Sequence, residues 1–324
     1  MTLQSSYDTL ITVFGGSGFL GRHLVRALAK RHYRIRVAVR RPDLAGHLQP
    51  LGRVGQIHAV QANVRHPGSV EAAVRGADAA INLVGILYER GRQRCDTVQA
   101  FGAEQIALAA AAHGARMIQV SAIGADENST SGYARAKAFG EKAVLAATPD
   151  AVIVRPSVMF GPEDDFFNKF AAMARILPAL PLIGGGHTKF QPVFVGDVAE
   201  AIARAVDGQA KAGTTYEAGG PEVKTFKELM EYVLATIERR RLLVPIPFPL
   251  AKLKATFLQL LPKPLLTPDQ VELLKSDNVV SDEAIHDGRT LQSLGIEPTA
   301  MASIVPSYLW RFRKTGQFKT GRFA

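Results

Sequence analysis

The chain holds a single cysteine, Cys95, in 324 residues. That excludes an internal disulfide framework and a cysteine-rich metal centre, and it suits a reducing compartment. No run of about eighteen apolar residues occurs, so no membrane-spanning helix is expected. The short polar stretch before Leu10 leaves no room for a signal peptide, and none is expected. Acidic residues are missing from two stretches. Arg22, Arg26, Lys30, Arg31, Arg34, Arg36, Arg40 and Arg41 stand between positions 22 and 41 with no acid among them. Arg311, Arg313, Lys314, Lys319 and Arg322 close the chain in the same way. The formal net charge is +10. Such faces attract phosphates, anionic membranes or acidic proteins, although a solvated basic surface accounts for most of them. No helix-turn-helix, zinc-finger or RNA-binding signature accompanies the charge, so no nucleic-acid partner is expected. The eight histidines lack ligand spacing, and no metal is expected.

With 47% hydrophobic and 21% charged residues, the chain has the makings of a sizeable core. Its organising stretch is Val13 to Gly21. An apolar run, Leu10 to Phe14, leads into Gly15, Gly18 and Gly21, and Leu20, Leu24, Val25 and Leu28 follow at helical spacing. Strand, glycine turn and helix together make a dinucleotide site of Gly-x-x-Gly-x-x-Gly spacing. Gly15 permits the turn, Gly18 admits a pyrophosphate and Gly21 lets helix and strand approach. Ser17, Phe19, Leu20 and Arg22 complete the candidate phosphate seat at the helix N-terminus. A second strand, Ile35 to Val39, ends at Arg40 and Arg41, where an acid would select NAD. Guanidinium groups pair with phosphate, so NADP(H) is expected over NAD(H).

A third strand near Ile57 to Ala62 precedes Asn63 and Val64, where the short-chain dehydrogenase/reductases that this stretch resembles usually carry Asp-Val beside the adenine. A fourth, Ala79 to Val84, carries Leu83, Val84 and Gly85 to the cofactor, because ligands lie beyond the carboxyl ends of parallel strands. An alanine-rich helix, about Thr97 to Ala112, and a fifth strand, Met117 to Ser121, come next. Tyr133 and Lys137 lie four apart on one helical face. An adjacent ammonium favours the phenolate, and such a tyrosine serves as general acid or base at a carbonyl. Ser121 is the candidate third member, with Ser129, Thr130, Ser131 or the lack of a third hydroxyl as alternatives. A sixth strand, Ala151 to Val154, leads into Arg155, Pro156, Ser157 and Val158, a loop that in the extended reductases it resembles lies at the nicotinamide and substrate end. Glu163-Asp164-Asp165 reads as a solvated turn, Gly184 to His187 as a flexible loop, and Asp197 as a helix N-cap.

The fold expected is α/β, a Rossmann-type doubly wound parallel sheet (residues 1–206) with a small, mainly helical C-terminal lobe (residues 207–324). Within the lobe, Thr225 is placed to cap a helix running to Glu238. Leu242 to Pro268 is rich in leucine and proline and has no acid. A helix starting at Pro249 would put Leu250, Leu253, Phe257, Leu260 and Leu261 on one face, with Lys252, Lys254 and Lys263 beside it. That face either packs on its own domain or docks at a membrane or membrane-bound partner.

The first 206 residues resemble the extended and atypical short-chain dehydrogenase/reductases. The segments Arg155–Asn168, Gln191–Ala201 and Leu266–Leu274 are similar to the alpha-subcomplex accessory subunits of respiratory complex I, in their bacterial-type relatives, and this resemblance spans the chain. It implies tightly held NADPH, a structural or assembly role near the membrane, and complex I or another membrane-bound assembly as partner. The implied location is cytoplasmic, peripheral on the cytoplasmic face of the inner membrane. The pair Tyr133 and Lys137 keeps a second reading open, a stand-alone reductase or epimerase acting on a sugar-nucleotide, isoprenoid or quinone-related compound.

Overall fold

The computed structural model describes residues 8–259, 261 and 264–316. Leu260, Lys263, Lys319 and Arg322, named above, lie outside them. Two compact units are formed, each from three segments: Met1–Pro156, Val195–Ala218 and Ser281–Glu297 make the first, and Ser157–Phe194, Gly219–Val280 and Pro298–Ala324 the second. The boundary expected at residue 206 follows the sequence, whereas the chain crosses between units several times.

The first unit contains β1 (Leu10–Phe14), α1 (Phe19–Lys30), β2 (Arg34–Val39), β3 (Ile57–Gln61), α2 (Pro67–Val74), β4 (Ala79–Asn82), α3 (Phe101–Ala112), β5 (Arg116–Val120), α4 (Gly132–Ala147), β6 (Val152–Pro156), α5 (Val195–Val206) and β7 (Thr215–Ala218). The strands form one parallel sheet in the order β7-β6-β5-β4-β1-β2-β3, the Rossmann-like arrangement expected. Helices cover both faces, so β1 is almost wholly apolar. Its one polar side chain, Thr12, is fully buried and donates to the Ala73 carbonyl at 2.9 Å. Strand order reverses between β1 and β4, where Phe14 pairs with Asn82. The carboxyl ends of those strands are the place for a ligand in such a sheet.

Helix α1 buries Leu20, Gly21, Leu24, Val25, Leu28 and Ala29, the stripe its sequence predicts. Beyond it, Arg31 reaches Glu200 at 2.6 Å and Asp207 at 2.9 Å, fixing α1 to α5. Arg36 donates to the carbonyls of Ala73 and Arg75. These two cations thus serve the fold rather than a solvated face. The alanine-rich helix is preceded by one wide turn of π-helix, Asp96–Ala100. Helix α4 crosses that turn closely: a Cβ at Gly140 would lie 2.5 Å from the Gln99 carbonyl oxygen. Asp197 stands inside the first turn of α5, not at an N-cap ahead of it, because the helix already begins at Val195.

In the second unit, strand Ala179–Ile183 pairs in parallel with Leu242–Ile246. Phe160, Phe166, Phe167, Phe170, Phe190 and Phe226 pack edge-on and tilted around one core. Thr225 caps helix Phe226–Thr236 in a capping box with Glu228, as its spacing predicts. The Gly184 to His187 stretch, expected to be a flexible loop, is a tight turn. Gly184 sits so close under Phe248 that a Cβ would meet the ring at 2.2 Å. Asp164, expected in a solvated turn, is 2% exposed and accepts from Tyr308 Oη at 2.5 Å.

Candidate functional site

The glycine turn is built so tightly that side chains are excluded from it. Gly15 has φ +79°, and its Cβ would press on Leu83 and Val84 at 3.3 Å. A Cβ at Gly21 would stand 2.5 Å from the backbone of Gly16, and one at Gly16 would stand 2.8 Å from Val37 Cγ1. Gly16 is therefore a fourth required glycine that the motif spacing did not single out. Gly18, at the N-cap of α1, carries no side-chain oxygen to cap the helix, and the first turn contains no acid. The amino end of α1 thus keeps its positive potential for an anion. A dinucleotide's pyrophosphate fits this cradle.

Around the turn, the expected adenosine residues divide by what already holds them. Arg40 is exposed and makes no hydrogen bond or ion pair among the described residues. Arg41 is engaged by Asp43 at 2.7 Å, with both side chains mostly exposed. Asn63 Oδ1 accepts from Arg65 N at 3.1 Å and shapes its own loop. Val64 is buried against Gly102, so only its backbone remains for a base.

A chain of buried amides joins the strand ends on the other side. Asn82 accepts from Val84 N at 2.9 Å and donates from Nδ2 to Gln119 Oε1 at 2.9 Å. Gln119 in turn donates to the Val120 carbonyl at 3.0 Å. Lys137 Nζ donates to that same carbonyl at 3.1 Å. The ammonium lies 5.9 Å from the centre of the Tyr133 ring. Burial pushes Lys137 down to about 8, against the opposing pull of Glu141 and Cys95. A Cβ at Gly85 would come within 3.6 Å of Lys137 Nζ and 3.7 Å of Gln99 Oε1. The backbone at Gly85, Lys137 and Gln99 therefore share one small space.

Near this space, among the described residues, Ser121 Oγ and Gln99 Oε1 are buried with no hydrogen-bond partner. Leaving a buried polar group unsatisfied costs about 1–3 kcal/mol, which a bound polar ligand would relieve. Two of the three alternatives to Ser121 are occupied: Ser131 Oγ caps α4 through Ala134 N, and Ser129 Oγ accepts from Ser131 N. Gln99 escaped the sequence reading because it sits in the π-helical turn, which leaves no spacing signature; its Nε2 is fixed by the Ile86 carbonyl at 3.2 Å.

The segment assigned to the nicotinamide end is held differently. Arg155 makes a two-pronged pair with Glu141, at 2.8 and 2.6 Å, and lies 3.7 Å from Glu217. Those carboxylates raise its already high pKa. Pro156 is buried, and its carbonyl accepts from Ile123 N at 3.1 Å. In the second unit, Ser157 Oγ donates to Asn278 Oδ1 at 2.7 Å, and Val158 N donates to the same atom at 3.0 Å. Among the described residues no group of three His, Cys, Asp or Glu side chains could hold a metal ion.

The likeness to known proteins follows the same lines. The family model described as NAD dependent epimerase/dehydratase matches residues 11–219. The chain is 40% identical over 327 residues to NADH dehydrogenase (ubiquinone) 1 alpha subcomplex subunit 9, mitochondrial, of Arabidopsis thaliana, covering 97% of this chain and 80% of that protein. It is 34% identical over 309 residues to the mitochondrial NADH-ubiquinone oxidoreductase 40 kDa subunit of Neurospora crassa, covering 95% of this chain and 80% of that one. Among solved structures, gox2253 superimposes with a TM-score of 0.72 at 21% identity, over 96% of this chain and 100% of its own, which shows the shared fold. With the sheet order and the glycine cradle in place, the chain belongs to the NAD-dependent epimerase/dehydratase family.

Proposed function

We propose that this protein holds NADP(H) as a lasting part of its fold and acts as an accessory component of a membrane-bound electron-transfer assembly of the complex I type. It sits peripherally, on the cytoplasmic face of the inner membrane. The observation that carries the reading is the extent of the likeness to complex I subunits. It covers 97% of the chain, whereas the nucleotide-binding family match ends at residue 219. The larger part of the second unit, beyond the family match, is thus within the resemblance. Arg40 supports the 2′-phosphate form, since its guanidinium is exposed and uncommitted at the end of β2. A ligand at a hundredfold its dissociation constant adds about 2.7 kcal/mol of stability, so a held nucleotide strengthens the fold without turnover.

The test is fractionation of gently solubilised membranes from the source organism on native gels, following this chain beside NADH dehydrogenase activity. Co-migration is the expected result. Migration as a small species apart from that activity overturns the accessory reading.

A second reading rests on the buried Lys137, the adjacent Tyr133 and the unpartnered Ser121 Oγ. A bound nicotinamide supplies or takes a hydride. Tyr133 would then give a proton to the carbonyl oxygen, or take it from the alcohol hydroxyl in the reverse direction, and Lys137 would orient the ribose and favour the phenolate. Substrates of this reading are sugar-nucleotides, isoprenoids or quinone-related carbonyl compounds. Tyr133→Phe should abolish turnover of such a substrate with NADPH affinity intact, and unchanged turnover removes the tyrosine from the chemistry.

A further inference from the structure

Helix Phe248–Leu258 in the second unit leaves one row of large apolar side chains uncovered. Its buried residues are Ala251 and Ala255, set in a small cluster with Ile183 and Val271. Phe248 and Leu258 at its ends are half-buried, whereas Leu250 is 45%, Leu253 59% and Phe257 68% accessible, and Leu261 just beyond is 45%. Burying leucine or phenylalanine is worth far more than burying alanine, so a helix serving only its own unit would show the opposite arrangement. Of the two sequence alternatives for this segment, packing of the leucine face on its own domain is therefore not what the chain does.

The chain segment that carries this face has charge of one sign. From position 239 to position 268 there is no Asp or Glu. Lys252 and Lys254 are exposed on the helix itself. Lys252 reaches back to Glu272 at 2.7 Å, while Lys254 has no partner among the described residues. Lysine is depleted at protein–protein interfaces. Lysine beside leucine and phenylalanine is, in contrast, the composition of helices that lie in the headgroup plane of anionic bilayers. The helix is only 11 residues long and begins among prolines. No helix among the described residues is long and apolar enough to cross a membrane.

We propose that this face docks on an anionic phospholipid surface, with Leu250, Leu253, Phe257 and Leu261 entering the headgroup–acyl boundary and Lys254 meeting lipid phosphates. The inference rests on the peripheral placement proposed above and supplies its contact. It involves none of the nucleotide-binding residues.

The full chain loaded with NADPH is floated with vesicles of phosphatidylcholine alone and of phosphatidylcholine mixed with phosphatidylglycerol. Flotation with the mixed vesicles is expected, weakened by salt. The Leu253→Asp/Phe257→Asp double variant should lose about tenfold of the bound fraction while keeping its NADPH affinity, which reports that it is folded. As a second measurement, Phe257→Trp in a Trp310→Phe background should shift its emission to the blue on mixed vesicles. Failure of the unmodified chain to float, equal flotation of the double variant, or unchanged emission each overturns the proposal. So does membrane retention in extracts without vesicle flotation, which assigns the face to a protein partner. Flotation without co-migration beside NADH dehydrogenase activity overturns only the accessory reading.

Discussion

Lys137 donates its ammonium to the carbonyl of Val120, at 3.1 Å, where Gln119 also donates. One carbonyl thus joins the sheet's amide chain to the lysine expected to hold a nucleotide ribose. Tyr133, Glu141 and Cys95 are the other titratable groups around that ammonium.

The lysine's titration gives a pH signature. Burial lowers Lys137 from 10.5 to about 8, so between those values the unfolded chain binds more protons than the folded one. Stability contributed by this group therefore rises with pH across that window, and the cost of burying the charge is fully present below it. Binding should run the other way, because the ammonium expected to donate to a ribose is lost above about 8. Melting temperature and NADPH affinity measured over that window should diverge in the native protein. In Lys137→Met, both should lose this component of their pH dependence. Parallel curves for the two proteins would contradict the assignment.

Crowding at the glycine turn can be tested against a matched control. Gly21→Ala places a Cβ 2.5 Å from Gly16 backbone atoms, which have nowhere to go. Overpacking of this kind costs about 1–3 kcal/mol, and the shifted turn should lose NADPH binding by roughly tenfold or more. Gly46→Ala meets nothing within 4 Å and should change neither quantity. Urea titration and fluorescence titration with NADPH read both effects.

Cofactor choice is expected to rest on one arginine of the adjacent pair. Arg40 is uncommitted, whereas Arg41 is already engaged by Asp43 at 2.7 Å. A hydrogen bond to a charged group is worth about 1.5–3 kcal/mol, so Arg40→Ala should weaken NADPH by roughly ten- to a hundredfold and leave NADH unaffected. Arg41→Ala should have the smaller effect. Equal losses for both nucleotides in Arg40→Ala would show that this side chain does not read the 2′-phosphate.

The contrast between these arginines explains what could be read without the fold. β1, the glycine turn and the α1 stripe are local patterns, with every residue that defines them within about twenty positions, so type and spacing sufficed. Residue type also marked Arg155, but its partners Glu141 and Glu217 come from α4 and β7, and only the folded sheet brings them together. Helix Phe248–Leu258 was recognisable by its apolar spacing, yet that spacing could not show which face is covered. Its alanines, Ala251 and Ala255, take the buried side against the cluster containing Val271.

Asp164 and Tyr308, 144 positions apart, make the same point and give the last test. The carboxyl is 2% exposed and also accepts from Gly161 N at 3.2 Å and Asn168 N at 3.2 Å. Burial raises its pKa, while the tyrosine hydroxyl and the backbone donors pull it down by favouring the charged form. Tyr308→Phe removes the hydroxyl and leaves a buried carboxylate short of a donor, a loss of about 1–3 kcal/mol. That loss belongs to the ionised carboxylate. The variant's folded-state pKa for Asp164 should therefore lie above the native protein's, and its stability deficit should be full near neutral pH. As pH falls through those raised values, Asp164 takes up a proton in both proteins and the deficit should shrink. Denaturant titrations of the two proteins at neutral and at mildly acidic pH measure the difference directly. A deficit of the same size at both would mean that the hydroxyl stabilises packing alone, and that the charge on Asp164 plays no part in holding Tyr308.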